Sequence, residues 1–196
     1  MSENKIYKFD TDEKIQNLKM HEELLTKWFS PQTDKFRICR PEDELPAADY
    51  VLSYYQQNFH NLEIVECKTD KTLHPHTVVE IITNYPTNRM SWTEVELAKM
   101  INLITSGQKK GQCTTWMLNA TRNHWFSYYH KYQNRWALVR GDILSLYVQH
   151  ILEGGQSRLI GTISERNGST WLNISVIIDN KTIDKFAKAV VDLKNV

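Results

Sequence analysis

An acid–any–lysine triplet closes an apolar run in this chain and constrains the fold more tightly than any other feature. The triplet is Glu66-Cys67-Lys68, and the run before it is 62–65. Because side chains alternate along a strand, Glu66 and Lys68 share one face while Cys67 points to the other. An anion and a cation therefore lie side by side on a nearly buried element, where burying either charge alone is unfavourable.

A second strand-like run, 49–55, begins with Asp49. If the two runs form a hairpin, Asp49 and Glu66 become neighbours. Paired carboxylates bind a hard divalent cation, and a lysine beside them can orient or activate a water molecule. The alternative interpretation is a surface hairpin that carries an ordinary ion pair.

The arrangement resembles the active site of the PD-(D/E)xK superfamily of metal-dependent nucleases. That site consists of an Asp, followed by an Asp or Glu, any residue and a Lys. Asp49, Glu66 and Lys68 match the pattern, whereas Ala48 stands where the family has its proline, and Asp43 is the alternative to Asp49. The resemblance implies a restriction-endonuclease-like core, which is an α/β fold with a mixed β-sheet flanked by helices. It also implies hydrolysis of phosphodiester bonds with Mg²⁺ or Mn²⁺.

The resemblance gives each motif residue a role. Asp49 and Glu66 bind the metal together with the backbone carbonyl of Cys67. Lys68 positions the attacking water and offsets charge at phosphorus. Glu22 binds a second ion or a metal-bound water, since members of the family often place a glutamate of the first helix towards the metal.

Helical periodicity independently draws attention to Glu22. The segment 12–29 contains no Gly or Pro, and Glu22 lies between Leu18 and Leu25 on its apolar stripe, whereas Glu23 lies outside the stripe. A glutamate that faces a core needs a partner, which a metal site supplies. The alternative is a glutamate at the edge of the stripe that reaches solvent.

Glu80 raises a similar question because it interrupts the apolar run 78–82, which predicts a strand buried on both faces. Its carboxylate is either paired inside the sheet or directed into the cleft of the site. The resemblance favours the second option and makes Glu80 a further metal ligand, since the family often has an acidic or polar residue on the strand after the lysine.

A basic, aromatic-rich segment accompanies the acidic motif. The net charge of the chain is +1, yet 97–141 contains no Asp or Glu. A protein surface that binds nucleic acid combines cations, which contact phosphates, with aromatic rings, which stack on bases. We therefore predict a nucleic-acid-binding surface formed by Lys109, Lys110, Arg122 and Arg135. The alternative is that the aromatic residues of 124–138 are core strand residues and that the Lys and Arg side chains line a solvated edge. We expect the aromatic rings to lie mostly in the core.

The pattern of periodic runs and turns predicts a single nuclease-like domain over 1–196, with a core at about 12–150 and a C-terminal hairpin and helix at 155–196 as an elaboration. The predicted helices are 12–29, 92–105, 141–152 and 181–193. The predicted strands are 47–55, 62–68, 77–83, 122–130, 135–140, 157–164 and 170–178, and 31–46 is predicted to be a loop.

Three widely spaced cysteines and a start without an apolar signal segment predict a cytoplasmic protein with reduced thiols and no membrane partner. The sequence therefore predicts a metal-dependent nuclease that acts on nucleic acid, DNA in preference to RNA. The rival hypothesis is a non-catalytic protein that binds nucleic acid or another partner, including one on an inactivated nuclease fold. The oligomeric state stays open, a homodimer included.

Overall fold

The computed structural model describes residues 11–40, 48–71, 73–108, 115–155, 158–166 and 168–193. In chain order, the helices and strands are α1 (Thr11–Phe29), β1 (Asp34–Cys39), β2 (Tyr50–Gln56), β3 (Phe59–Asp70), β4 (His76–Pro86), α2 (Glu94–Thr105), β5 (His124–His130), β6 (Arg135–Arg140), α3 (Gly141–Glu153), β7 (Arg158–Arg166), β8 (Ser169–Asp179), α4 (Asn180–Phe186) and β9 (Ala189–Asp192). The predicted α/β class is confirmed.

The described residues divide into two compact units. The first comprises the described parts of Met1–His74, Thr121–Gly141 and Asp184–Val196, and the second those of Pro75–Ala120 and Asp142–Ile183. No helix among the described residues is long and apolar enough to cross a membrane.

The first unit contains a mixed sheet with the strand order β1-β2-β3-β5-β6-β9. Its neighbouring strands are antiparallel except β3 and β5, which run parallel. Parallel neighbours require a long crossover connection. Here that connection contains β4 and α2.

A tight hairpin between β2 and β3 sets the register on which the site depends. Its two turn residues, Gln57 and Asn58, have φ values of 50° and 66°. Positive φ at both central residues is typical of two-residue turns that match the twist of the flanking strands. The resulting register places Tyr50 opposite Val65, and Asp49 therefore lies beside the acid–any–lysine triplet.

Helix α1 covers one face of this sheet with the apolar stripe that its sequence predicts. Leu25 and Phe29 are buried, and the Phe29 ring lies 5.7 Å from Trp125 and 5.5 Å from Tyr54 between centroids. Burial of side chains of this size contributes about 1.5–3 kcal/mol each. The buried part of the stripe begins after Ile15, because the Ile15 side chain is 40% exposed.

The aromatic residues of β5 and β6 are largely core residues, as expected. Trp125, Tyr128, Tyr129 and Trp136 are all buried, whereas Tyr132 in the connection is exposed.

The second unit contains an antiparallel sheet with the order β4-β8-β7. Helix α2 begins at Glu94 because Thr93 and Glu96 form a reciprocal capping box at its amino end.

The structure corrects the prediction that 31–46 is a loop. Residues Asp34–Cys39 form β1, an edge strand paired with β2. Phe36 and Ile38 pack against the core, and the Phe36 ring stacks on Phe29 at 5.8 Å. Only two apolar residues of this strand face the core, so its periodic signal was too short to recognise.

The C-terminal segment was also wrongly predicted as one helix over 181–193. Helix α4 ends at Phe186, and Ala189–Asp192 forms β9, which pairs with β6 so that Ala189 lies opposite Leu138. The β-branched residues Val190 and Val191 favour a strand where an open sheet edge offers hydrogen bonds.

Candidate active site

Two hydrogen bonds attach Asp49 to strand β3. Its backbone amide donates to the carbonyl of Val65 at 2.9 Å, and its carboxylate Oδ2 accepts from the backbone amide of Cys67 at 2.8 Å. The carboxylate is therefore held against the middle residue of the Glu66-Cys67-Lys68 triplet. The predicted proximity of Asp49 to this triplet is present in the structure.

Glu66 and Lys68 form an ion pair on the face of β3 opposite to the Cys67 side chain. Lys68 Nζ lies 2.9 Å from Glu66 Oε1, with the side chains 36% and 16% exposed, respectively. In the parallel strand β5, Phe126 and Tyr128 occupy the neighbouring positions, and both are buried. Since apolar surroundings lower the local dielectric, the ion pair is screened less than a pair in water.

The thiol of Cys67 points away from this ion pair and is unreactive. Burial raises its pKa well above the usual range, and the carboxylates of Asp49 and Glu66 raise it further. The thiol therefore stays protonated and has little nucleophilic character. The backbone of Cys67, not its side chain, is the part that can serve the site.

Glu22 lies on the α1 side of the sheet, where it contacts Tyr50, whereas Glu66 and Lys68 project from the opposite face of β3. The Tyr50 hydroxyl donates to the carbonyl of Leu18 at 2.9 Å and lies 3.2 Å from Glu22 Oε2. Burial raises the pKa of Tyr50 to about 12, so the phenol remains a neutral donor. The Arg40 guanidinium carbon lies 5.8 Å from the centroid of the same ring. Glu22 thus faces inward, as its place on the helical stripe predicts.

Sequence reasoning missed a buried polar link between α1 and the strands, centred on His21. Its Nδ1 lies 2.7 Å from Ser127 Oγ, and its Nε2 lies 3.2 Å from Thr69 Oγ1. Trp136 Nε1 donates to the same Ser127 oxygen at 2.8 Å. The signal was available, because His21 lies on the apolar stripe of α1 three residues after Leu18. This link fixes the helix to β3 one residue beyond Lys68.

The state of His21 predicts a specific acid sensitivity. Burial lowers its pKa to about 3, below the value of about 6.5 in an unfolded chain. The folded state therefore holds His21 neutral, and its stability is lost as the pH falls from 6.5 towards 3 because the unfolded state takes up the proton. We expect His21 alone to lower the free energy of unfolding by about 2 kcal/mol between pH 7 and pH 5. His130, whose pKa is lowered to about 4 mainly by burial, adds to the same loss.

Urea denaturation of the wild type and of His21→Gln over this pH range measures the effect. The variant should lose less stability on acidification, whatever its stability at pH 7. His150→Gln, which changes an exposed histidine, is the control and should follow the wild type. An identical pH dependence for His21→Gln and the wild type would contradict the assignment.

The donor atoms at this site fit the chemistry of a hard divalent cation. Asp49 and Glu66 offer carboxylate oxygens, which Mg²⁺ and Mn²⁺ prefer. A carboxylate has about four lone-pair sites, so one hydrogen bond or one ion pair leaves capacity for a cation. Within the described ranges, no three His, Cys, Asp or Glu side chains already lie close enough together to hold a metal ion. A cation bound by Asp49 and Glu66 would share the Glu66 carboxylate with Lys68.

Glu80 does not lie in the sheet that contains Glu66 and Lys68. The predicted strand at 77–83 is present as β4, the next strand after Lys68 in the chain, but it pairs with β8 in the second unit, where Glu80 lies opposite Ser175. The apolar run predicted a strand correctly, but it contained no information about the pairing partner.

The predicted phosphate-binding residues have different surroundings. Arg122 is exposed in the turn that leads into β5. Arg135 is mostly buried and forms an ion pair with Asp184, which argues against a phosphate contact. Lys109 and Lys110 lie outside the described residues, as does Asp43, the alternative to Asp49.

No protein family, characterised protein or solved structure significantly matches this chain.

Proposed function

We propose that the protein is a divalent-metal-dependent nuclease that hydrolyses phosphodiester bonds in nucleic acid, DNA in preference to RNA, with Mg²⁺ or Mn²⁺. One observation carries the proposal: the carboxylate of Asp49 is bonded to the Cys67 amide at 2.8 Å, between Glu66 and Lys68. An Asp from one strand and a Glu-any-Lys triplet from its hairpin partner therefore meet, which is the constellation that the PD-(D/E)xK pattern requires.

The order of elements supports a restriction-endonuclease-like core. The family layout that the chain resembles is a helix, three strands, a helix and a strand. Within the first unit, α1, β1, β2, β3 and β5 supply the first helix, three strands and the last strand of that order, whereas β4 and α2 belong to the second unit. Asp49 directly precedes β2, the Glu66-Cys67-Lys68 triplet lies on β3, and Glu22 lies on the first helix.

The chemistry follows from the placement of these side chains. Asp49, Glu66 and the carbonyl of Cys67 would hold the metal ion, whereas Glu22, which contacts Tyr50 on the α1 side of the sheet, is given no metal role. The metal supplies Lewis acidity and lowers the pKa of a water molecule. Lys68 holds the attacking water and offsets negative charge at phosphorus.

The rival function is a non-catalytic protein that binds nucleic acid or another partner. The Glu66–Lys68 ion pair favours it, because a carboxylate that already has a cationic partner is satisfied without a metal. A cleavage assay separates the two functions.

The full-length protein should cleave a mixture of labelled single-stranded and duplex DNA when millimolar Mg²⁺ or Mn²⁺ is present. Cleavage should stop in EDTA and return when the metal is restored in excess. Gel analysis of the labelled products measures both steps. Binding of DNA without cleavage in either metal would contradict the nuclease proposal and favour the rival.

A further inference from the structure

An exposed aromatic surface lies on β1–β3, on the sheet face opposite to α1. Tyr55 and His60 pair across the hairpin, and their rings stack at 4.9 Å with an interplanar angle of 26°. Lys35 Nζ lies 5.3 Å from the centroid of the Tyr55 ring, and Ser53 Oγ lies 2.9 Å from His60 Nε2. Arg37 lies opposite Ser53. These five residues are named the aromatic platform.

The aromatic platform is open to solvent and predominantly basic. Tyr55 is 38% exposed, and both Lys35 and Arg37 are exposed. Asp34 is the only acidic residue in β1, β2 and 59–62. Rings stack on bases, and nearby cations contact phosphates. This combination of groups therefore complements a nucleic acid better than it complements an acidic or apolar surface.

The aromatic platform shares its sheet face with the candidate active site. The residues of β3 that project to this face are the even-numbered ones, from His60 through Leu62 and Ile64 to Glu66 and Lys68. Leu62 is 58% exposed, so the face stays open beyond His60. The six residue steps from His60 to Glu66 span roughly 20 Å. A stacked nucleic-acid strand covers that distance with about six nucleotides.

We propose that the aromatic platform holds a single strand of nucleic acid and directs it towards the Glu66–Lys68 ion pair. This inference rests on the proposed nuclease function and names its substrate class as single-stranded, or as an unpaired segment of a duplex. Tyr55 and His60 stack on bases, while Lys35 and Arg37 contact phosphates. A base paired inside a duplex exposes no face for such stacking, so the platform selects unpaired strands.

Binding in EDTA tests the platform separately from cleavage. We expect fluorescence anisotropy to give tighter binding of single strands than of a duplex of the same length. The single-strand affinity should rise as the oligonucleotide lengthens through about 4, 8 and 12 nucleotides. Tyr55→Ala should weaken binding of the longest single strand about tenfold, the size of one lost base–aromatic stack. Leu146→Ala, which removes an exposed apolar side chain from α3, should bind like the wild type.

The contribution of Lys35 to the platform is measured by the salt dependence of binding. Lys35→Gln should make the dependence of affinity on salt shallower by about 0.7 in log–log slope, because one phosphate contact is lost. Lys27→Gln, at an exposed position on α1, should leave the slope unchanged. Thermal melts of all four variants establish that each is folded.

The outcomes distinguish this inference from the proposed function. Metal-dependent cleavage together with equal binding of single strands and duplex, or with no effect of Tyr55→Ala in a folded variant, would overturn the platform and leave the nuclease intact. Single-strand binding that depends on Tyr55, without cleavage in either metal, would support the platform and overturn the nuclease.

Discussion

Replacing Lys68 with alanine should reduce metal-dependent cleavage of DNA by about 10³-fold, a typical loss when a group that serves proton transfer is removed. The Lys68 side chain is more than a third exposed, so its removal should leave the fold intact. Initial cleavage rates at saturating metal, with DNA affinity measured in EDTA, separate a loss of chemistry from a loss of binding. We expect the affinity to stay close to that of the wild type.

Lys68→Arg should not restore cleavage, because a planar guanidinium fork cannot take the place of a compact ammonium beside Glu66. Lys19→Ala, which removes an exposed lysine from α1, is the matched control and should retain full activity. Full activity in Lys68→Ala would rule out the proposed nuclease mechanism.

Asp49→Asn should reduce cleavage by about 10²-fold or more and should also remove stabilisation of the fold by Mg²⁺. The asparagine retains an oxygen that can accept from the Cys67 amide, so the hydrogen bond of 2.8 Å seen for Asp49 can persist. Only the charge is lost. A cation at tenfold its dissociation constant stabilises the wild-type fold by about 1.4 kcal/mol. That amount corresponds to a rise of roughly 4 °C in melting temperature for a chain of this size.

Thermal melts with and without millimolar Mg²⁺ measure this second effect independently of activity. The wild type and Asp12→Asn, which alters an exposed carboxylate on α1, should both show the shift, and Asp49→Asn should not. If Mg²⁺ shifts neither the wild type nor the variant, Asp49 is a structural hydrogen-bond acceptor and the Glu66–Lys68 pair is an ordinary ion pair.

The local parts of this site were predictable because their signals lie close together in sequence. Helix α1 was found from the spacing of Leu25 and Phe29, and the same spacing turned Glu22 inward. Alternation along β3 placed Glu66 and Lys68 on one face and Cys67 on the other, and their 2.9 Å ion pair follows from that placement. The approach of Asp49 to the triplet required only a hairpin between adjacent strands, which is the commonest connection of neighbouring elements.

The remaining parts of the fold depend on which strand pairs with which. Strand β4 has the apolar run expected of a buried strand, yet it pairs with β8, nearly a hundred residues later in the chain, and not beside β3. Strand β5 takes the place beside β3, in parallel orientation. Two apolar runs of similar composition satisfy either position equally well, so their order in a sheet is decided by long-range packing and loop closure.

The sequence by itself determined most of the periodic elements, apart from β1 and β9, and the identity of the charged residues at the candidate site. The tertiary structure alone decided that β1 completes a three-stranded antiparallel segment, that His21 anchors α1 to Thr69 and Ser127, and that Arg135 is paired with Asp184. The physical reason is the range of the interactions. Alternation and helical spacing act over a few residues, whereas strand partners and buried polar contacts join residues that only the folded chain brings together.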